Sequence, residues 1–297
     1  MAQQDSDVFV RLERFYDALP RPYARAEEYG GLVLFVREGE GWPYYARPRI
    51  GAGTPSAADI TAARQRQREL GLPEAFEWVH ETTPDLLAVA RSAGLGVLLA
   101  PLLVLDPAAL VPDLPVTGGT VRFLDPDAGT FAADLASSRA VAQLGFGAPA
   151  QAGLGSAPAE GLTPLHGPLL TAPAGPTERD AATEPLSEAL VASQRARSSS
   201  GDYRTAVVDS PDGILATGAL MRSGDVAEIA GVATLPAARG RGYATQLTAR
   251  LAERGLADGT QTIFLSAGSE DAARLYTKVG FRRVGTACIA EPGTSEL

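Results

Sequence analysis

The run Arg239-Gly240-Arg241-Gly242-Tyr243-Ala244 places two guanidinium groups, two glycines and a small residue directly ahead of a helical pattern. A strand that stops before such a run and feeds a helix through it presents unpaired backbone N–H groups, the positive end of the helix dipole and cationic side chains at one spot. That combination suits a pyrophosphate; the alternative is a basic, glycine-rich turn with no ligand. Three phosphate-binding patterns compete. A P-loop requires Gly-Lys-Ser/Thr, which the chain lacks. A dinucleotide fingerprint requires a third glycine where Thr245 stands. The pattern Arg/Gln-x-x-Gly-x-Gly/Ala is met in full by Arg239, Gly242 and Ala244.

Further along, Ala272-Ala273-Arg274-Leu275-Tyr276-Thr277-Lys278-Val279-Gly280-Phe281 is an alanine-bearing helical stretch with Leu-Tyr followed by Gly-Phe. With both motifs, in this order, the chain resembles the GNAT superfamily of N-acetyltransferases over roughly residues 118–290. The resemblance implies a mixed sheet splayed between its fourth and fifth strands, with acetyl-CoA as the cofactor lying in the split. It makes Glu228 to Leu235 the fourth strand, whose backbone at Val232, Ala233 and Thr234 would pair with the pantetheine arm and polarise the thioester carbonyl. Arg239, Gly240, Arg241, Gly242, Tyr243, Ala244 and Thr245 would hold the diphosphate, and Tyr276 would be the general acid that protonates the departing thiolate. Core packing is the competing role for Tyr276. The family often has asparagine where this chain has Glu270, which puts one cofactor contact in doubt; Ser269 is the substitute.

Direct attack on a thioester requires a neutral amine, whose ordinary pKa near ~10.4 makes deprotonation at neutral pH cost roughly 4 to 5 kcal/mol. A carboxylate acting through water, or desolvation, supplies this. Glu228 is the candidate base, since glutamate is frequent at this strand position in the resembled family; an exposed strand acid is the competing reading. His80 and His166 have less support, one lying in the first half and one in a Pro/Gly-rich stretch. The expected activity is transfer of an acetyl group to a primary amine of a small molecule. A protein or peptide amine as acceptor, or a non-catalytic acyl-CoA sensor, are the alternatives.

The elements that must position these residues read as an α/β chain. Tyr203 to Val208 and Ile214 to Met221 form a hairpin about Asp209–Gly213, and Ala227 to Leu235 a strand ending at Pro236. From Tyr243, Ala244, Leu247, Leu251 and Ala252 recur at helical spacing, with Gln246, Arg250, Glu253 and Arg254 opposite and Gly255 as the stop. Thr262 to Ser266 is a strand, Ser269 to Val279 a helix ended by Gly280, and Arg283 to Ala290 a strand. The first half repeats this order: helix Ala58 to Leu70, strand Ala75 to His80, helix Thr83 to Ala93, strand Val97 to Leu105. Gly71-Leu72 and Gly255-Leu256 are 184 residues apart, and Gly94-Leu95 and Gly280-Phe281 are 186 apart, which points to an internal duplication.

The first half lacks the chemical pieces. Ile50-Gly51-Ala52-Gly53-Thr54-Pro55 stands where the arginine-glycine loop should be, and Ala90 where Tyr276 should be. We therefore expect two GNAT-like domains, each a mixed, mostly antiparallel sheet flanked by helices. Residues 1–112 would be a degenerate copy and 113–297 the catalytic domain, a layout similar to that of mycothiol synthase. The boundary is drawn in the proline-rich break Asp106–Gly119; a second break, Gly145 to Pro176, reads as a loop over the site or an insertion.

Composition narrows the partners. With 26 basic and 35 acidic residues the formal charge is −9, unsuited to neutralising nucleic-acid phosphates and better matched to a cationic small substrate. Cys288 is the single cysteine, so neither an internal disulfide nor a cysteine-based metal cluster is expected, and no metal is assigned. The start carries acid where a signal peptide needs base, and the apolar run Leu95–Leu105 is broken by Pro101 and is too short to span a bilayer. The reading is a cytoplasmic protein, monomer or homodimer, with no membrane or nucleic-acid partner.

Overall fold

The structure, a computed structural model, describes residues 2–147 and 173–293, with side chains from residue 7 at the N-terminus. Its framework is one continuous eleven-stranded sheet. The first half contributes α1 (Ala2–Ala18), β1 (Ala24–Tyr29), β2 (Leu32–Arg37), β3 (Ala46–Pro48), α2 (Ala57–Glu69), β4 (Phe76–Val79), α3 (Leu86–Ser92) and β5 (Leu95–Leu105). The second contributes β6 (Thr120–Phe123), α4 (Phe131–Gly147), α5 (Pro176–Ala182), α6 (Glu188–Ser200), β7 (Tyr203–Ser210), β8 (Gly213–Ser223), β9 (Val226–Thr234), α7 (Tyr243–Ala257), β10 (Thr262–Ser266), α8 (Glu270–Thr277) and β11 (Phe281–Pro292).

The strand order is β1-β2-β3-β4-β11-β5-β10-β9-β8-β7-β6. Each half's last strand thus lies within the other half's sequence of strands. β11 pairs antiparallel with both β4 and β5, while β5 pairs antiparallel with β10. Outward from the β5/β11 pair, each side meets a strand and then its parallel neighbour, β4 with β3 and β10 with β9. The second half of β5, Ala100 to Leu105, is buried, with β11 on one edge and β10 on the other at Leu102–Val104, whereas Leu99 is exposed.

Period-two alternation assigns the layers. Along β8, Gly218 and Leu220 face α7, the glycine so closely that a Cβ there would lie 3.1 Å from Leu251 Cδ1. Leu12, Phe15 and Tyr16 of α1 pack with Val79, Leu102, Val104 and Phe264, and Phe264 receives both aromatic rings edge-on at 5.2 and 5.4 Å. Trp78 and Cys288, directly paired across β4 and β11, point instead into the cluster under α2 and α3. Cys288 is fully buried, as a small apolar residue would be.

Two local readings change. Gly255 does not stop α7, which runs to Ala257 and ends where Gly259 takes a φ of +86°. Gly255 is instead a packing glycine: a Cβ there would meet Ile263 Cδ1 at 2.8 Å. Gln246, expected on the solvent side of α7, is buried; its Oε1 accepts from Leu114 N–H at 2.7 Å and its Nε2 donates to Pro112 C=O. Most of the Gly145–Pro176 stretch, with His166, lies outside the described residues. Among the described residues no helix is long and apolar enough to cross a membrane.

Candidate active site

The basic loop links a short 3-10 turn at Pro236–Ala238 to α7. Gly240 and Gly242 adopt φ of +79° and +83°, the left-handed region that side chains avoid, so the loop folds back and aims its amides outward at the helix start. The first amide there with a backbone acceptor is that of Gln246, which donates to Gly242 O at 3.1 Å; those of residues 241–245 have none among the described residues. The glycines, the open amides and the dipole form a cradle that fits a diphosphate. Its side chains divide. Arg241 is exposed. Arg239 is half-buried, donates to Gly145 C=O at 2.8 Å and has its pKa lowered by burial, so it ties the loop to the end of α4. Tyr243 is buried with its hydroxyl donating to Thr117 C=O at 2.7 Å, and Thr245 Oγ1 donates back to Gly242 C=O. Of these two residues, the helix start offers their amides.

Beside the loop the sheet opens. β9 and β10 pair in parallel only at Val226–Glu228 with Thr262–Phe264. Beyond that point β10 stays with β5 and β9 stays with β8, and the two part. The parting coincides with a bulge, where Gly231 and Val232 together oppose Gly218 and Gly231 takes a φ of +64°. Val232, Ala233 and Thr234 follow on the edge of β9 that faces the split. Gly145 of α4 comes close to them, since a Cβ there would lie 2.9 Å from Ala233 Cβ.

At the closed end of the split lies a cavity of about 480 Å³, bounded by α1, α4, α6 and the cavity-facing strand residues. Glu228 lines it and is buried. Tyr16 donates to Glu228 Oε1 at 3.4 Å, the Arg47 guanidinium stacks 3.6 Å from the Tyr16 ring centre, and Arg47 forms a buried ion pair with Glu77. Burial, with the like charge of Glu77 adding to it, pushes the Glu228 carboxyl up to about 8. Tyr16, Arg47 and Glu77 were not legible from motifs, because α1, β3 and β4 bring them from more than one part of the first half. The available signal was helical periodicity at Val8, Leu12, Phe15 and Leu19, which demands a helix whose apolar face covers the sheet.

Tyr276, on α8, is half-buried against the main core and does not line this cavity; burial pushes its phenol up to about 12. Ser269 caps α8, its Oγ accepting from Ala272 N–H at 3.2 Å, and Glu270 is engaged by Arg283. His80 sits outside the cavity. The corresponding helix start in the first half is closed: Ser56 Oγ accepts from Asp59 N–H, and Asp59 Oδ2 accepts from the amides of Ser56 and Gly31. A carboxylate already occupies the place an anion would take.

Residues 176–281 match the acetyltransferase (GNAT) family. A GCN5-related N-acetyltransferase from Kribbella flavida superposes with a TM-score of 0.62 at 20% identity, over 95% of this chain and 96% of that one. A GCN5-related N-acetyltransferase-like protein from Streptococcus suis gives 0.53 at 13% identity, over 98% and 99%. No curated protein matches the chain. Residues 176–281 are therefore similar in sequence to the acetyltransferase (GNAT) family, and the fold is shared with these two solved proteins over nearly the whole chain.

Proposed function

We propose that this protein is an acetyl-CoA-dependent N-acetyltransferase acting by direct attack of a primary amine of a small molecule. One observation carries the reading: β9 parts from its parallel neighbour just beyond the buried Glu228 and runs on to a helix start with open amides. Acetyl-CoA supplies an acetyl group activated as a thioester. The amides of residues 241–245 would hold its diphosphate, and the open edge of β9 at Val232, Ala233 and Thr234 would align the arm and polarise the carbonyl. Ser269 at the start of α8 would be a further contact. Glu228, as its carboxylate, accepts the proton the amine must lose, directly or through water, while the amine nitrogen forms the new C–N bond. As the C–S bond breaks, the Tyr276 hydroxyl supplies a proton to sulfur; its raised pKa keeps it protonated at working pH.

The first half, in this reading, is a worn copy from a duplication, its helix start sealed by Ser56 and Asp59 and its residues redeployed as a wall of the acceptor cavity. The enclosure of that cavity favours a small acceptor over a protein surface. Calorimetric titration with acetyl-CoA tests the proposal: one site per chain is expected, and no binding at millimolar ligand would end it.

A further inference from the structure

The cavity that holds Glu228 has a second end with different chemistry. There Arg37, Arg139 and Arg197 line one part of the cavity, and all three bear electrostatically on half-buried Tyr203. Their carriers, β2, α4 and α6, lie far apart in the sequence. None has a carboxylate partner among the described residues. Aromatic faces and one backbone carbonyl hold them instead: Arg37 lies 4.2 Å from the Tyr44 ring and donates its Nε–H to Trp42 C=O at 2.6 Å, Arg139 lies 5.4 Å from Trp42, and Arg197 4.6 and 4.7 Å from Tyr23 and Tyr203. Stacking fixes a guanidinium plane without neutralising it and leaves its N–H edge available. Arg197 is only 7% exposed, yet its Nε has no hydrogen-bond partner. The nearby Gln194 Oε1 is likewise buried and unpartnered.

Buried like charges repel, and an unpaired buried guanidinium is costly unless an anion completes it. The opposite end differs: the charged groups that bear on Glu228 are Glu77 and Arg47, and these two neutralise each other. A chain of net charge −9 thus encloses a locally basic pocket, the reverse of what its overall charge suggested.

We infer that the acceptor is an amine that also carries an anionic group, a carboxylate or phosphate monoester, bound by Arg37, Arg139 and Arg197 while the amine faces Glu228. This rests on the acetyl-transfer reading and specifies its substrate class. Trp42, Tyr44 and Tyr203, which carry these arginines, add aromatic surface to the basic end of the cavity.

Matched pairs test it: phenylalanine against phenylalaninamide for the carboxylate, and O-phosphoethanolamine against ethanolamine for the phosphate, each assayed with acetyl-CoA. At least one anionic member should exceed its neutral partner in kcat/KM by about tenfold or more, and Arg139→Gln should cut that ratio by about tenfold. Arg139 is half-buried with a single stacking contact, so this variant should fold, as a thermal melt would verify. Arg197→Lys should retain part of the preference that Arg197→Gln loses. Equal rates within both pairs, alongside normal acetyl-CoA binding, would overturn the inference and leave the enzymatic reading standing. Calorimetry without cofactor separates the converse case: arginine-dependent binding of an anionic amine by a protein that ignores acetyl-CoA would support the pocket and remove the enzyme. Turnover confined to succinyl-CoA with phenylethylamine would assign the anion to the acyl group and overturn the inference as stated.

Discussion

Glu228 and Tyr276 illustrate how environment sets the role of a residue. Folding raises the Glu228 carboxyl from its ordinary 4.5 to about 8, first through burial and then through Glu77. Between those values the folded chain binds a proton that the unfolded chain has released. The group therefore contributes stability that is fully present below about 4.5 and is lost as the pH rises through about 8. Activity runs the other way, because only the carboxylate can accept a proton. We expect kcat/KM to climb through a pH near 8, and Glu228→Gln to flatten that limb and lower the rate by about a hundredfold or more. A pH–rate profile unchanged in the variant would remove Glu228 from the mechanism. Tyr276→Phe should reduce turnover by about tenfold or more while acetyl-CoA affinity stays within about threefold, as loss of one proton-transfer role predicts. Because Tyr276 packs against the core as well, the ratio of those two effects is the informative readout.

Two helix starts of similar setting show what an element needs in order to bind a ligand. At α2 the capping box of Ser56 and Asp59 satisfies the amides from within. At α7 the cap is Gly242, which has no side chain to offer and leaves the amides of residues 241–245 open. The segment before β6 lies across this glycine so closely that a Cβ would sit 2.3 Å from Pro115 O, and its φ is +83°. Gly242→Ala should therefore weaken acetyl-CoA binding by about tenfold and lower stability by about 1–3 kcal/mol, measurable by calorimetry and urea unfolding. Retained affinity would show that the diphosphate seats elsewhere.

For the molecule as a whole, the reciprocal placement of β5 and β11 binds the two halves into one sheet. Removing β11 would strip a partner from β4 in the first half as well as from β5. Unfolding should accordingly be one cooperative event. In a Trp42→Phe variant, Trp78 is the sole tryptophan, buried at the β4/β11 junction, and its fluorescence should change at the same urea concentration as the helical circular dichroism. Two separated transitions would mean that the halves melt independently despite the shared sheet.

The sequence by itself determined whatever is encoded over a few turns of chain. The loop from Arg239 to Ala244, the helix and strand that follow it, and the hairpin of β7 and β8 were all readable there. Such features rest on backbone preference and hydrophobic period, which act between near neighbours. Gly255 was misread because a glycine that ends a helix and one that lets a helix approach a sheet look alike until the sheet is present. Only the tertiary structure decided that β11 stands between β4 and β5, that Tyr16 meets Glu228 across 212 residues, and that three arginines from separate elements share one cavity. Those outcomes depend on which surfaces pack together, and the charge a buried group carries follows from that packing rather than from its neighbours in the chain.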